Sequence, residues 1–405
     1  MSKGRKVTPK SADEFNMYLK SYLSVMEITF VGVESITFSD HVISSSKCYN
    51  LVNADIDNGR IINAESFTMM LTNIDLETYM HFYRFKKIHV LNMYVYRKGY
   101  LPTDFVKAVL ELYMRKTTLK GIEGKEAEYL WAKECANACY GMIVTDICRG
   151  EITYENGKGW SKVNPDVENE IRKYNDKRDR FLFYPWGVFI TAYARRNLAS
   201  GILACGDGTG HYCYCDTDSV KVLFADMHKD YFKQYNEYIT NKIKAACEFH
   251  GIDYETMCNP CDVKGNHHPL GVWDYEGTYR RAKFLGAKRY AVETQDGKHS
   301  ITIAGVNKKT AIPYLERKSQ EEHKDFFEYM EFGFVFNEDA CGKLLHTYCD
   351  EPRTGSMIDY RGVKWRYSER SYVHLEPTTY EMNATKDYLD LLLSDKITEE
   401  ERYPG

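Results

Sequence analysis

The chain has 405 residues, 43% of them apolar and 28% charged, which excludes a disordered chain and leaves room for roughly two to three compact units. Its formal charge, 54 − 58 = −4, excludes nucleic-acid binding through a uniformly basic surface, so any such contact needs positive charge gathered locally. No apolar run reaches the ~20 residues that span a bilayer, and the start Met1-Ser2-Lys3-Gly4-Arg5-Lys6 has no apolar segment behind its charges; neither a membrane partner nor a secretory leader is expected. Twelve cysteines scattered without a small-domain framework point to reduced thiols and a cytoplasmic setting.

The first dozen residues, with Pro9, read as loop. Asp13 to about Leu23 has mixed helical character, and 25–33 alternates as a strand. Residues 34–66 read as short strands and loops that close on the turn signal Asp55-Ile56-Asp57-Asn58-Gly59-Arg60. The run 69–78 passes from strand into helix, with Thr72 or Asn73 as N-cap and acids in the first turn. Residues 87–96 form a strand. Pro102 then opens a helix from Thr103 to about Lys116, with Phe105, Val106, Val109, Leu110 and Tyr113 on one face. A second long helix is expected from Lys125 to Gly141. Residues 151–160 read as a small hairpin over Asn156-Gly157, and 164–182 as a charged, solvated arm. An apolar helix follows at 185–204 and an amphipathic one at 230–249. Strands flank Trp273 and Tyr290, and a last helix is expected near 385–394.

Three stretches carry chemistry. In Tyr214-Cys215-Asp216-Thr217-Asp218-Ser219, two carboxylates sit two residues apart between strand-forming runs, which predicts a tight hairpin with both acids at its tip. Clustered carboxylates on a rigid turn suit hard divalent cations such as magnesium, and a two-metal site clamps the attacking and leaving oxygens of a phosphoryl transfer. The plain alternative is an Asp-rich turn. Second, Lys133, Asn137 and Tyr140 stand at i, i+4 and i+7 on one helical face, followed by Gly141, which can end the helix or let a substrate approach closely. A lysine there can offset triphosphate charge, and the tyrosine can pack on a base or sugar; a solvated lysine and a core tyrosine are the alternative. Third, Arg280, Arg281, Lys283, Lys288 and Arg289 interleave with aromatics, and on a strand Lys288 and Tyr290 would share a side, able to hold a nucleic-acid backbone without reading its sequence.

These stretches resemble a known family. Tyr214-x-Asp216-Thr217-Asp218-Ser219 resembles motif C of family B DNA polymerases. Lys133-x-x-x-Asn137-Ala138-x-Tyr140-Gly141 resembles motif B, with Ala138 in place of the usual serine. Lys288-Arg289-Tyr290 resembles the K-x-Y motif that contacts the primer terminus. Lys116 resembles the lysine upstream of motif B. The stretch Thr72-Asn73-Ile74-Asp75-Leu76-Glu77 is similar to the first terminal-protein region of the protein-primed bacteriophage branch, the arm at about 146–182 to its second insertion, and 186–195 to its template-contacting helix.

The resemblance implies an α+β right-hand fold: an antiparallel palm sheet, helical fingers and a small thumb. It divides the chain into 1–118 (palm edge and first insertion), 119–145 (fingers helix), 146–184 (second insertion arm), 185–299 (palm with motif C and K-x-Y) and 300–405 (thumb and tail). It implies DNA-directed DNA polymerase activity, with Asp216 and Asp218 as catalytic metal ligands for two Mg2+ ions and Lys133, Asn137, Tyr140 and Lys116 toward the nucleotide. Lys288, Tyr290, Arg195, Thr191 and Lys283 would lie toward DNA. Primer–template DNA, deoxynucleoside triphosphates and a terminal protein primer are the implied partners, in the host cytoplasm for a phage-encoded chain.

Beyond Ala138, the chain departs from the family pattern in two larger respects. The third family carboxylate, in motif A (D-x-x-S-L-Y-P), and the exonuclease domain have no counterpart in the sequence. The expectation is therefore a C-terminal portion, completed by an upstream fragment or else a catalytically silent DNA- or partner-binding relic. A rival constellation, Cys247-x-x-His250 with Cys258-x-x-Cys261 and His267-His268, has zinc-like spacing, against a reading as reduced thiols.

Overall fold

A computed structural model describes residues 4–37, 41–155, 159–206, 210–349, 353–369 and 372–383. Its contacts divide the chain into two units, residues 1–145 with 181–276, and residues 146–180 with 277–405.

The first unit is built on an antiparallel sheet. β1 (Arg5–Val7) lies where loop was expected; it is recruited by edge pairing to the strand at 83–96, a long-range contact invisible to local pattern. α1 (Ala12–Ser21) starts at Ser11, whose hydroxyl accepts the Glu14 N–H at 3.2 Å. In β2 (Leu23–Ser35), Ser24, Met26, Ile28 and Phe30 are buried on alternate positions, the period of a strand with one covered face. The stretch expected to hold short strands instead forms a long hairpin, β3 (Cys48–Asp57) and β4 (Arg60–Thr72). Asn58 and Gly59 both have positive φ (48° and 71°), the backbone that matches strand twist in a two-residue turn. α2 (Asn73–Tyr79) and β5 (Tyr83–Tyr96) follow, and the sheet order is β1-β5-β2-β4-β3.

α3 (Thr103–Leu119) and α4 (Glu126–Ile143) pack on each other. The second unit's arm comes next: β6 (Glu151–Glu155), β7 (Gly159–Val163) and α5 (Val167–Asp176), the last begun by Asp166, which accepts the Glu168 and Asn169 N–H groups. The turn at Asn156-Gly157 lies outside the described residues. The chain then returns to the first unit as α6 (Tyr184–Gly206), a carboxylate-tipped hairpin of β8 (Tyr212–Asp216) and β9 (Ser219–Val222), α7 (Lys229–His250) and α8 (Tyr254–Cys258). Gly251 ends α7 at φ 61°, its N–H bonded to the Cys247 and Glu248 carbonyls. Trp273, expected beside a strand, is in irregular chain; its backbone is paired with the Asn236 side chain at 2.8 Å in both directions, so a side-chain clamp replaces a ladder.

One core fills the space under the sheet. Phe30, Phe67, Met69, Leu71 and Met93 meet Ala199 and Ile202 of α6, with Tyr212, Cys215 and Val220 of the carboxylate hairpin at its margin. Burying this apolar face stabilises the unit at ~25 cal/mol per Å2. α6 is the central strut: it packs on the sheet core, on α2 and α4, and on β8 and β9.

The second unit continues with a three-stranded sheet, β10 (Tyr279–Gly286), β11 (Arg289–Thr294) and β12 (His299–Ile303), covered by α9 (Lys308–Glu322). β13 (Val335–Phe336), α10 (Glu338–Cys341), β14 (Lys343–Cys349), β15 (Arg353–Ile358), β16 (Lys364–Glu369), β17 (Tyr372–Thr378) and β18 (Tyr380–Glu381) complete it, with pairs β13–β18, β14–β17 and β15–β16. The helix expected near 385–394 lies outside the described residues. The α+β class with antiparallel sheets holds. The carboxylate hairpin is a two-stranded sheet of its own among the described residues, rather than part of the large one.

Candidate functional site

The β8–β9 register pairs Tyr214 with Lys221, Cys215 with Val220 and Asp216 with Ser219, which leaves Thr217-Asp218 as a two-residue turn. Thr217 has φ 53°, a left-handed conformation costly for a β-branched residue. Local bonds hold it: Thr217 Oγ1 donates to Asp216 Oδ1 at 3.0 Å, Ser219 Oγ to the Asp216 carbonyl at 3.2 Å, and the Asp218 N–H to that same carbonyl at 2.6 Å. Asp218 is exposed in the turn and Asp216, half-buried, is the last residue of β8. Two carboxylates in one turn are hard oxygen donors of the kind magnesium takes. Among the described residues, however, no group of three or more His, Cys, Asp or Glu side chains gathers, so this turn offers part of a metal site.

The hairpin rests on α6, and so does the lysine-bearing helix. On α6, Gly187, Thr191 and Arg195 follow at four-residue steps along one stripe. A Cβ on Gly187 would fall 2.0 Å from Val144 Cγ1 and 3.7 Å from Tyr140 Cε2, so the end of α4 and the Tyr140 ring lie directly on bare backbone. Lys133 is half-buried on α4, Asn137 is exposed, and Tyr140 is 38% exposed. Lys116 lies on α3, with Nζ 5.8 Å from the Tyr113 ring. α4 does not end at Gly141, the end expected from sequence; it runs on to Ile143, with Val144 packed on Gly187. A Cβ on Gly141 would meet nothing within 4 Å. Gly141→Ala should therefore stabilise the first unit by about 0.5–1 kcal/mol in urea unfolding, since alanine is the better helix former. A fall in nucleotide affinity in that variant would show that the glycine serves substrate approach.

Thr191 Oγ1 is bonded to its own helix, at the Gly187 and Val188 carbonyls (3.2 and 3.0 Å). Arg195 is half-exposed and grips Asp75 of α2 with two bonds, Nε–Oδ1 at 2.8 Å and Nη2–Oδ2 at 3.0 Å. Burial works against the charged guanidinium, but the hydrogen bond and charge of Asp75, with Tyr79 and Tyr140 adding, outweigh it and raise its pKa above the ordinary arginine value. Asp75 was not selected from the sequence as a partner for Arg195; the available signal was Thr72-x-x-Asp75, an N-cap with its acid at the third helical position.

In the second unit the cationic strand is largely engaged. Arg280 and Arg281 face the buried Glu293 at 3.5 and 3.8 Å, Arg281 also pairs with Asp325 at 2.7 Å, Lys283 Nζ donates to the Phe327 carbonyl at 2.9 Å, and the buried Arg289 donates to the Asn383 carbonyl at 2.7 Å. Lys288 is exposed at φ 54° in the turn between β10 and β11, so strand alternation does not place it beside Tyr290; the tight turn after Gly286 overrides it.

The zinc constellation does not assemble. Cys247 and Cys258 are buried with their sulfurs 3.5 Å apart, His250 Nδ1 is 2.9 Å from Thr103 Oγ1, and Cys261 is exposed, its backbone bridged to His267. Helix packing around Leu110 takes the two thiols inward, and burial pushes the Cys258 thiol up to about 12. Iodoacetamide at pH 8 should label Cys261 and spare Cys258, as read by peptide mass mapping, because the thiolate is the nucleophile.

No family model matches the chain. It is 27% identical over 240 residues to a DNA polymerase of Bacillus phage Nf, covering 58% of this chain and 33% of that relative. It is 26% identical over 230 residues to the DNA polymerase of Bacillus phage B103 (56% and 32%), and 24% identical over 229 residues to that of Bacillus phage phi29 (55% and 30%). The match thus spans about a third of these curated relatives. Among solved structures, phi29 DNA polymerase complexed with primer-template DNA superposes with a TM-score of 0.53 at 18% identity, over 89% of this chain and 51% of that one. Its complex with primer-template DNA and incoming nucleotides gives 0.52 at 17% identity, over 94% and 53%. Among the described residues no helix is long and apolar enough to cross a membrane. In sequence the chain is similar to phi29-type phage DNA polymerases over about a third of their length, and in fold it is similar to the phi29 DNA polymerase structures over about half of theirs.

Proposed function

We propose that this chain is the nucleotide- and DNA-holding part of a DNA-directed DNA polymerase, adding deoxynucleoside triphosphates to a 3′ hydroxyl on a template. The observation that carries the reading is the common seat on α6: the two-carboxylate turn rests on one stretch, and the Tyr140 end of α4, the helix that also bears Lys133 and Asn137, docks on Gly187 of another. Asp216 and Asp218 would hold magnesium, which when bound supplies charge neutralisation at the reacting phosphate. Lys133 and Lys116 offset triphosphate charge, Asn137 and Tyr140 bound the base and sugar, Thr191 and Arg195 face the template, and Lys283, Lys288 and Tyr290 hold the primer strand. Rate comes from positioning and fixed charge more than from covalent chemistry.

Two acids make an incomplete metal site, so a further carboxylate comes from another polypeptide segment, and a terminal protein is the candidate primer. The second reading, a silent DNA- or partner-binding relic, is favoured by the lack of a third clustered acid among the described residues. Primer extension with magnesium decides between them. The chain should extend a primer when mixed with the product of the reading frame directly upstream of its gene, and fail alone. No extension in either mixture, with salt-sensitive DNA binding retained, would leave the silent subunit standing.

A further inference from the structure

We infer that Asp75 is a positioning residue: it fixes the Arg195 side chain so that its outer N–H groups face a nucleic-acid phosphate. The inference rests on the proposed reading of Arg195 as a template contact. α2 is held from three sides. The Thr72 N–H and Oγ1 donate to Asp75 Oδ2 at 3.1 and 2.8 Å, and the Asp75 N–H donates back to Thr72 Oγ1 at 3.1 Å. Asn73 Oδ1 accepts the Ser24 N–H at 2.9 Å, which ties the same turn to β2. Ile74 packs on Phe189 and Ala192 of α6. The Asp75 carboxylate thus has no freedom of its own; its side chain is 5% exposed, whereas that of Arg195 is 50% exposed.

That asymmetry is the point. A buried carboxylate gripping Nε and Nη2 sets the plane of the guanidinium and leaves the Nη1 donors out of the pair. The pair has no net charge, so it adds little to a long-range field. What it adds is direction: an arginine already ordered before DNA arrives loses less conformational freedom on binding. The pair also borders a small cavity of about 110 Å3 whose lining includes Cys215, the residue before Asp216.

Removing a carboxylate from beside a polyanion should tighten binding if charge alone matters. Positioning gives the opposite sign. Binding of a fluorescent primer–template by the full chain is measured across a salt series for Asp75→Asn, Arg195→Gln, the double variant and Arg195→Lys. Asp75→Asn and Arg195→Gln should each weaken binding by roughly tenfold. The double variant should be no weaker than Arg195→Gln alone, the non-additivity of residues that act as a unit. Arg195→Lys leaves the α2 cap intact and keeps the charge; it should still lose binding, since an ammonium cannot take the two-point grip. Unchanged or tighter binding by Asp75→Asn, additive losses, or full binding by Arg195→Lys would each overturn the inference while Arg195→Gln still weakens. Unchanged binding by Arg195→Gln would instead sink the template reading beneath it.

Discussion

Asp218→Asn is expected to lower primer extension, in the complemented reaction, by about 10²–10³-fold, the cost of removing one preorganised electrostatic group from a reacting centre. Asparagine keeps the size and one oxygen of the exposed turn residue but removes the charge that a hard divalent cation requires. Asp216→Asn should behave alike, because its amide can still accept the Thr217 hydroxyl that braces the turn. DNA binding by both variants should stay within about threefold of the parent, or tighten, since a negative charge has been taken from beside an anion. Single-turnover extension and a binding isotherm on the same preparations separate the two quantities. Parental extension rates in both variants would reduce the pair to an ordinary turn.

The largest effect on stability is expected at Gly187. An added methyl would sit 2.0 Å from Val144 Cγ1, and valine has little rotamer freedom with which to move aside. Either α4 shifts off α6 or the helix bends, and overpacking of this kind costs about 1–3 kcal/mol. Gly187→Ala should therefore lower the urea midpoint of the first unit. The Tyr140 ring, 3.7 Å from the same position, would move with the helix, so nucleotide affinity should fall even under conditions where the protein is fully folded. Gly141→Ala is the matched control, open on all sides and expected to go the other way. If both alanines behave alike, close packing at Gly187 is not what seats α4.

The cysteine constellation shows how spacing and structure part ways. Cys247 and His250 lie one helical turn apart in α7, which is ligand-like spacing, yet the sulfur turns into the Leu110 core and the imidazole to Thr103. Spacing states which side chains could share a face; packing against α3 and α8 states which way that face looks. The cationic run is similar. Five positive residues in a short stretch suggested a strand able to hold a nucleic-acid backbone, and Glu293, Asp325 and the Phe327 and Asn383 carbonyls engage four of them.

By itself, the sequence determined the local devices. The two acids flanking Thr217, the four- and three-residue steps of Lys133, Asn137 and Tyr140, the Asn58-Gly59 turn and the Thr72 cap all act within a few residues, where backbone geometry follows from neighbours alone. Tertiary structure decided what those devices face. It set β1 on the edge of β5, lodged Tyr140 against Gly187, put Lys288 in a turn, and gave Arg195 a buried carboxylate 120 residues away as its partner. Such pairings depend on which helices and strands come to lie side by side, and that is settled by burying a shared apolar core rather than by any local pattern.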